Sequence, residues 1–160
     1  MFSDTKVLVV NQDGQIVDSL RTVLEAAGFY VLAAGDGSSA LDLLHTEAPA
    51  LVLMDAVLAA PVQAPMDGAL GPHMDGCQLL RRLRLESNVG VIVLSRERHE
   101  AIKLYFLDSG ADDYVIWPCD RRELLARIRA VARRTFHHAQ RWERADSYGL
   151  PSRHGPSSEM

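Results

Sequence analysis

The feature that most constrains the fold of this chain is the recurrence of short apolar runs, each bounded by polar, Gly or Pro residues. The first run, residues 6–10, is rich in β-branched side chains and shows no alternation of apolar and polar residues. Such a run predicts a strand that is covered on both faces rather than one that lies against water. Four further runs look alike, at residues 30–34, 51–54, 89–94 and 114–117. Five buried strands are therefore expected.

Amphipathic helical patterns lie between these runs. From residue 16 to residue 27 the large apolar side chains share one helical face, and Gly28 follows as a stop signal. Ser38 or Ser39 is predicted to cap a second helix, which ends before Pro49. Three more helices are predicted over residues 77–85, 99–109 and 122–134.

Five strands that alternate with five helices predict an α/β fold, a single doubly wound parallel sheet with helices on both faces. In open sheets of this kind, ligands and chemistry gather beyond the carboxyl ends of the strands. The residues at or just past those predicted ends are Asn11, Gln12, Asp13, Asp55, Ser95 and Trp117.

Length and charge narrow the class of protein. The chain has 160 residues and a formal net charge of −4, which suits one globular domain and argues against sequence-independent attraction to nucleic acid or anionic lipid. Its cysteines, Cys77 and Cys119, lack the spacing of a zinc site, so two free thiols are expected. No apolar run approaches the length of a membrane span or of a signal sequence, and we expect a cytoplasmic protein.

Two segments break the alternation of strands and helices. Residues 56–74 contain three prolines and two glycines without helical or strand periodicity, which predicts a long loop. Residues 137–160 are polar with balanced charge, which predicts a linker or a disordered tail. We therefore divide the chain into a domain at 1–136 and a tail at 137–160.

Several motifs together resemble the receiver domains of bacterial response regulators, over about residues 5 to 135. They are Lys-Val-Leu-Val-Val at 6–10, Leu-Val-Leu-Met-Asp at 51–55, Met-Asp-Gly at 74–76, Val-Ile-Val-Leu-Ser at 91–95 and Gly-Ala-Asp-Asp-Tyr-Val-Ile-Trp-Pro at 110–118. Residues 120–134 are similar to the OmpR/PhoB-type branch, whose receivers precede a winged-helix DNA-binding domain. The resemblance implies a flavodoxin-like receiver fold with strand order 2-1-3-4-5.

The resemblance also implies that Asp55 occupies the position of the aspartate that takes a phosphoryl group from a histidine kinase. Two carboxylates after the first strand normally hold Mg²⁺ there, and a lysine after the fifth strand offsets the phosphate charge. This chain has Asn11 and Gln12 at the acidic positions and Trp117 at the lysine position. We therefore expect weak or absent Mg²⁺ binding and no cofactor. Asp13 lies beside the acidic positions, and its side chain is expected to turn away from the metal.

Other family positions are retained or altered. Ser95 keeps the hydroxyl of the switch position after the fourth strand, and Tyr114 keeps the aromatic residue that turns inward on activation in typical members; an ordinary strand residue is the alternative for Tyr114. Arg96 replaces a small residue, and either pairs with an anion at the pocket rim or is an exposed residue before a helix. The 22 residues from Asp55 through Gly76 exceed the family's usual number, so 56–74 is either a loop over the pocket or a tolerated surface insertion.

The fourth and fifth helices retain charges that pair across a two-fold dimer in this branch. Residue-by-residue matching gives Lys103 with Glu123, Asp113 with Arg127, and Asp112 with Arg134. Because exposed ion pairs contribute little, apolar residues should supply most of the association energy. The residues expected in that role are Leu107, Ala126 and Val131. A solvated face with ion pairs inside one subunit is the alternative.

These expectations describe an atypical receiver domain and not an enzyme. It would dimerise without aspartyl phosphate and regulate transcription through a DNA-binding domain C-terminal to these residues, under the control of a ligand, a protein partner or its own expression level. Two alternatives stay open: a conventional phosphoacceptor controlled by a histidine kinase, and a stand-alone protein-interaction module. No membrane partner is expected.

Overall fold

A computed structural model describes residues 4–58 and 75–147, with side chains up to Thr135. Within these ranges one parallel five-stranded sheet has the order β2-β1-β3-β4-β5. The strands are β1 Lys6–Val10, β2 Tyr30–Ala34, β3 Leu51–Asp55, β4 Gly90–Ser95 and β5 Asp113–Ile116. The helices are α1 Gly14–Ala26, α2 Gly37–Glu47, α3 Gly76–Glu86, α4 Glu100–Asp108 and α5 Arg121–Ser147. The predicted fold class and strand order are confirmed.

Two apolar layers enclose the sheet, as the uninterrupted apolar strands predicted. One layer joins side chains of α2, α3 and α4 to one face, and the other joins side chains of α1 and α5 to the opposite face. Alternate residues of β1 serve both layers, since Leu8 belongs to the first and Val9 to the second, each with at most 1% exposure. The central strands are thus rigidly held, and their carboxyl ends form a fixed platform.

The start of α2 differs from the prediction. Asp36, not Ser38 or Ser39, is the N-cap, and its carboxylate accepts a hydrogen bond from the backbone N–H of Ser39 at 2.7 Å. Both residue types cap helices well, so the sequence offered competing candidates one turn apart. Asp36 also accepts a bond from the Ser39 hydroxyl at 3.1 Å, which explains how the serine contributes without being the cap.

Ala56 and Gly76, on either side of residues 59–74, lie close together. A Cβ added to Gly76 would lie 2.4 Å from the carbonyl oxygen of Ala56, so only glycine permits this approach of α3 to the end of β3. Asp75 caps α3 and forms a capping box with Gln78. The helix predicted over residues 77–85 is observed as α3 Gly76–Glu86, whereas residues 59–74, most of the segment expected to be either a loop over the pocket or a surface insertion, lie outside the described residues.

Helix α5 is longer than predicted. It continues to Ser147, whereas the sequence pattern indicated an end at Arg134 and a linker or tail from residue 137. That end was wrong because the polar composition of 137–147 was taken as a sign of irregular structure. The segment contains no Gly or Pro and is rich in Ala, Gln, Arg and Glu, which favour helix. The remainder of the predicted tail, 148–160, lies outside the described residues.

Among the described residues no helix is both long and apolar enough to cross a membrane. Cys77 and Cys119 are free and half-buried.

Candidate functional site

A cavity of about 360 Å³ opens at the carboxyl ends of the strands, and we call it the strand-end pocket. All six residues that the sequence placed at those ends contribute to its wall. The lining is formed by Asn11, Gln12, Asp13, Ile16, Asp55, Val57, Leu94, Ser95, Arg96, Glu97 and Trp117. Residues from the ends of four strands, β1, β3, β4 and β5, are thereby brought to one place.

Asp55 is the last residue of β3 and lies half-buried in this pocket. One carboxylate oxygen accepts a hydrogen bond from the backbone N–H of Val57 at 3.0 Å, and the other accepts one from the side-chain amide of Asn11 at 3.3 Å. Burial raises the pKa of Asp55 above its ordinary value, while the Val57 N–H and the positive charge of Arg96 act in the opposite direction. The carboxylate is therefore held by neutral donors.

Asn11 braces the loop that follows β1. Only 7% of its surface is exposed, and its side-chain oxygen accepts a hydrogen bond from the backbone N–H of Asp13 at 2.8 Å. Its backbone N–H donates to the carbonyl of Ala34 at 3.1 Å. Its amide nitrogen donates to Asp55, so both the oxygen and the nitrogen of this side chain are hydrogen-bonded within the protein.

Asp13 is the N-cap of α1. Its carboxylate accepts a hydrogen bond from the backbone N–H of Gln15 at 2.9 Å, so the side chain serves the helix start. The donor set therefore does not suit Mg²⁺, which prefers several anionic oxygens: Asn11 and Gln12 are neutral, and Asp13 is engaged elsewhere. The described residues contain no group of three or more His, Cys, Asp or Glu side chains placed to hold a metal ion.

Ser95 and Tyr114 are joined through Glu97, which the sequence reasoning missed. The Ser95 hydroxyl oxygen accepts from the backbone N–H of Glu97 at 3.0 Å, and the Tyr114 hydroxyl donates to the Glu97 carbonyl at 3.0 Å. Tyr114 is 5% exposed and lies 6.0 Å from the ring of Phe106, so its ring is turned inward. Because both contacts of Glu97 are made by backbone atoms, its side-chain type gave no signal.

Trp117, the residue expected at the family's lysine position, lines the wall of the pocket. Its backbone N–H donates to the Ser95 carbonyl at 2.8 Å, and its indole packs on the apolar layer of α1 and α5. Arg96 is exposed and forms no ion pair with any described residue. Its positive charge opposes the rise that burial causes in the pKa of Asp55. The pocket thus has an aromatic wall and one cation at its rim.

The charges predicted for dimerisation lie on α4, on α5, on β5 and just before β5, and we call them the charged face. They are Lys103, Asp112, Asp113, Glu123, Arg127 and Arg134. Within one subunit Arg127 pairs with Asp113 at 3.0 Å and with Glu123 at 2.9 Å. Asp112 pairs with Arg84 at 2.8 Å, a partner absent from the sequence prediction. Lys103 and Arg134 form no ion pair with the residues the structure describes.

The apolar part of this face needs one correction. Val131 is only 1% exposed and packs in the core between α5 and the sheet, so it was wrong to expect it at an interface. Leu104 and Tyr105 on α4 are instead 48% and 43% exposed. They were missed because the helical pattern of α4 is weakly amphipathic, and its outward side carries apolar residues too.

A comparison with protein-family models matches residues 7–129 to the response regulator receiver domain. The chain belongs to this family. Among curated relatives, this receiver domain is 39% identical over 149 residues to the transcriptional regulatory protein CseB of Streptomyces coelicolor, covering 93% of this chain and 58% of that protein. It is 38% identical over 130 residues to the probable transcriptional regulator ycf27 of Guillardia theta, covering 81% and 46%. The chain spans about half the length of the curated relatives it matches.

Solved receiver structures agree. The receiver domain of the Francisella response regulator 1452 superimposes with a TM-score of 0.68 and is 32% identical in sequence. The match covers 82% of this chain and 99% of the Francisella chain. The BeF₃-activated N-terminal receiver domain of Klebsiella pneumoniae RstA has a TM-score of 0.69 and 26% identity, and covers 80% and 98%.

Proposed function

We propose that this receiver domain acts in an OmpR/PhoB-type transcriptional regulator and dimerises through the charged face without Mg²⁺-dependent phosphorylation of Asp55. One observation carries the proposal: the side-chain amide of Asn11, and not a metal-bound carboxylate, stands 3.3 Å from the Asp55 carboxylate. Each Asp55 oxygen accepts a hydrogen bond from an uncharged donor, the Val57 N–H or the Asn11 amide.

The chemistry of phosphoryl transfer supports this view. Charge on the transferring group must be offset by metal and by a lysine, and the transition state gains most from such fixed cations. Here Asn11 and Gln12 bring no charge, Asp13 caps α1, and Trp117 brings an indole. Arg96 is the one cation on the pocket wall among the described residues, and it is exposed. Asp55 is then a structural part of a remodelled pocket.

The relatives support a role in transcription, because several carry the name of transcriptional regulator. In a full-length regulator of their size, DNA would be bound by a second domain, and the receiver would bring two such domains together. This division of labour also suits the net charge of −4, which gives the receiver no general attraction to DNA.

The charged face supports dimerisation. Arg127 is fixed by two carboxylates of its own subunit, and Leu104 on α4 is exposed. Both carboxylates raise the pKa of Arg127 further above its ordinary value, with Asp113 the larger contributor, so the cation is permanent. Arginine is enriched at protein interfaces, whose cores are more apolar than the rest of the surface, so an arginine and an exposed leucine among these residues favour an interface.

Sedimentation equilibrium of protein that has never met a phosphodonor tests the proposal. We expect a dimer at micromolar concentration, and a monomer for Arg127→Glu, which places a third carboxylate beside Asp113 and Glu123. Arg122→Glu is the matched control, because Arg122 is on the same helix, is 93% exposed and lies outside the charged face. A monomeric wild type, or equal weakening by both variants, would contradict the proposal; a melting curve for each variant shows that it is folded.

A conventional phosphoacceptor is the second candidate. It is favoured by the retained Asp55 at the end of β3 and by Ser95 and Tyr114 at the switch positions, both buried. Intact mass spectrometry after incubation with Mg²⁺ and a small-molecule phosphodonor, with Asp55→Asn as control, separates the two candidates.

A further inference from the structure

Arg84 on α3 makes contacts that no role discussed so far uses. Its guanidinium donates to the carbonyl oxygen of Gly110 at 2.6 Å, to the carbonyl oxygen of Val89, and to the Asp112 carboxylate at 2.8 Å. These acceptors belong to three separate places: the start of β4, the end of α4 and the start of β5. Arg84 thus holds together the amino-terminal corner of the sheet next to the charged face.

Only one of the two carboxylate oxygens of Asp112 accepts hydrogen bonds within this corner of the sheet. Its Oδ2 accepts from Arg84 at 2.8 Å and from the backbone N–H of Val91 at 2.8 Å, which fixes the plane and direction of the carboxylate. Its Oδ1 accepts no hydrogen bond from the described residues, and the side chain is 33% exposed. One oxygen is therefore anchored while the other faces solvent.

Arg134 is the complementary cation. It is exposed near the end of the packed part of α5, and it lines the same open cleft of about 890 Å³ as Asp112 and Arg84. Although both line this cleft, Arg134 and Asp112 form no ion pair within the subunit. Arg134 has no ion-pair partner among the described residues and Asp112 has one open oxygen, so both groups are available to a second copy of the chain.

We infer that Arg84 is a positioning residue for the dimer: it holds Asp112 so that the free Oδ1 receives Arg134 of a second copy. The inference rests on the proposed dimerisation through the charged face. An exposed carboxylate normally loses rotational freedom when it enters an interface, and that loss offsets most of the gain from an exposed ion pair. Arg84 fixes Asp112 before association, so the intersubunit pair forms without that cost.

The two-fold symmetry doubles the effect, because the pair occurs twice in each dimer. Removing the anchor should therefore weaken dimerisation by about tenfold, while the isolated charge of Asp112 stays in place. A merely structural role of Arg84 would weaken the fold and affect the dimer in every background. A positioning role acts only while Arg134 is present.

A double-mutant cycle measured by sedimentation equilibrium tests this difference. The proteins are wild type, Arg84→Met, Arg134→Met and the double variant, each with a thermal melt. We expect Arg84→Met to raise the dimer dissociation constant about tenfold in the wild-type background and by less than about twofold in the Arg134→Met background. If Arg84→Met does not melt cooperatively, Arg84→Lys takes its place, since a single ammonium nitrogen lacks the planar fork of three nitrogens with which Arg84 reaches its acceptors.

Equal weakening in both backgrounds, no weakening, or tighter dimerisation of Arg84→Met would overturn the inference and leave the proposed dimer intact. A monomeric wild type would overturn both the dimer and the role of Arg84. The two failures are thus distinguished by the wild-type protein alone.

Discussion

Replacing Asp13 by Ala removes the hydrogen-bond acceptor at the start of α1. In the structure the Asp13 carboxylate accepts from the Gln15 N–H at 2.9 Å, and the side chain lies exposed on the pocket wall. If that is its role, Asp13 acts on the stability of the helix. If it is a substitute metal ligand, it acts on Mg²⁺ affinity and its removal has a different signature.

The size of the effect follows from the single bond lost. An N-cap acceptor contributes about 1 kcal/mol to the free energy of unfolding, and a negative charge at a helix start adds roughly 0.5 kcal/mol. Asp13→Ala should lose both, which lowers Tm by about 5 °C in a domain of this size. Asp13→Asn keeps the acceptor and should lose only the charge contribution, or roughly 2 °C.

Chemical denaturation and thermal melts of the three proteins, with and without millimolar Mg²⁺, measure both roles. We expect the order wild type, Asp13→Asn, Asp13→Ala in stability, and no effect of Mg²⁺ on the order. The reasoning is refuted if Mg²⁺ raises the Tm of the wild type and not that of Asp13→Asn, because mass action then shows a site that needs the Asp13 charge.

Three further predictions concern the pocket and the core. Burial raises the pKa of Asp55, so the folded state binds its proton more tightly than the unfolded state and loses stability as pH rises between the two pKa values. Asp55→Asn should thus raise Tm at neutral pH and lose this advantage at acid pH below both values; a Tm difference that does not depend on pH would contradict this. Gly90→Ala should destabilise the fold by about 1–3 kcal/mol in urea denaturation. The added Cβ would lie 2.7 Å from a valine methyl of α5, and an unchanged denaturation midpoint would show that the helix can shift. A triple variant that restores the family's charges should gain a Mg²⁺-dependent mass adduct with a small phosphodonor, and its failure would mean that more than charge was lost. Its substitutions are Asn11→Asp, Gln12→Asp and Trp117→Lys.

The sheet could be predicted because the residue pattern that marks each strand lies within the strand itself. Runs such as 6–10 and 51–54 are apolar without alternation, which already implies cover on both faces, and short connections leave few topologies. Asp55 and its neighbours could be placed at one edge for the same reason, since carboxyl ends of parallel strands meet there.

The details that could not be predicted depend on contacts between distant parts of the chain. Arg84 is an ordinary polar helix residue in sequence, and only the fold brings it to Gly110 and Asp112. Val131 was expected at the surface because the helical pattern alone does not show how deep α5 sits on the sheet. Glu97 acts through its backbone, which side-chain chemistry does not reveal.

The predicted start of α2 and the predicted end of α5 were wrong for a related reason. Asp36 and Ser39 are equally good caps, and the choice between them depends on where β2 ends and the chain turns. The end of α5 was misplaced because polarity is shared by solvated helices and irregular tails. In each case the local signal was present but ambiguous.

Asp55 is held by uncharged hydrogen-bond donors. We propose that it does not accept phosphate by the Mg²⁺-dependent route. Intact mass spectrometry after incubation with Mg²⁺ and a small-molecule phosphodonor tests it directly, with Asp55→Asn as the control. We predict no adduct that depends on both Mg²⁺ and Asp55. A stoichiometric adduct on the wild type that disappears in Asp55→Asn would contradict the claim.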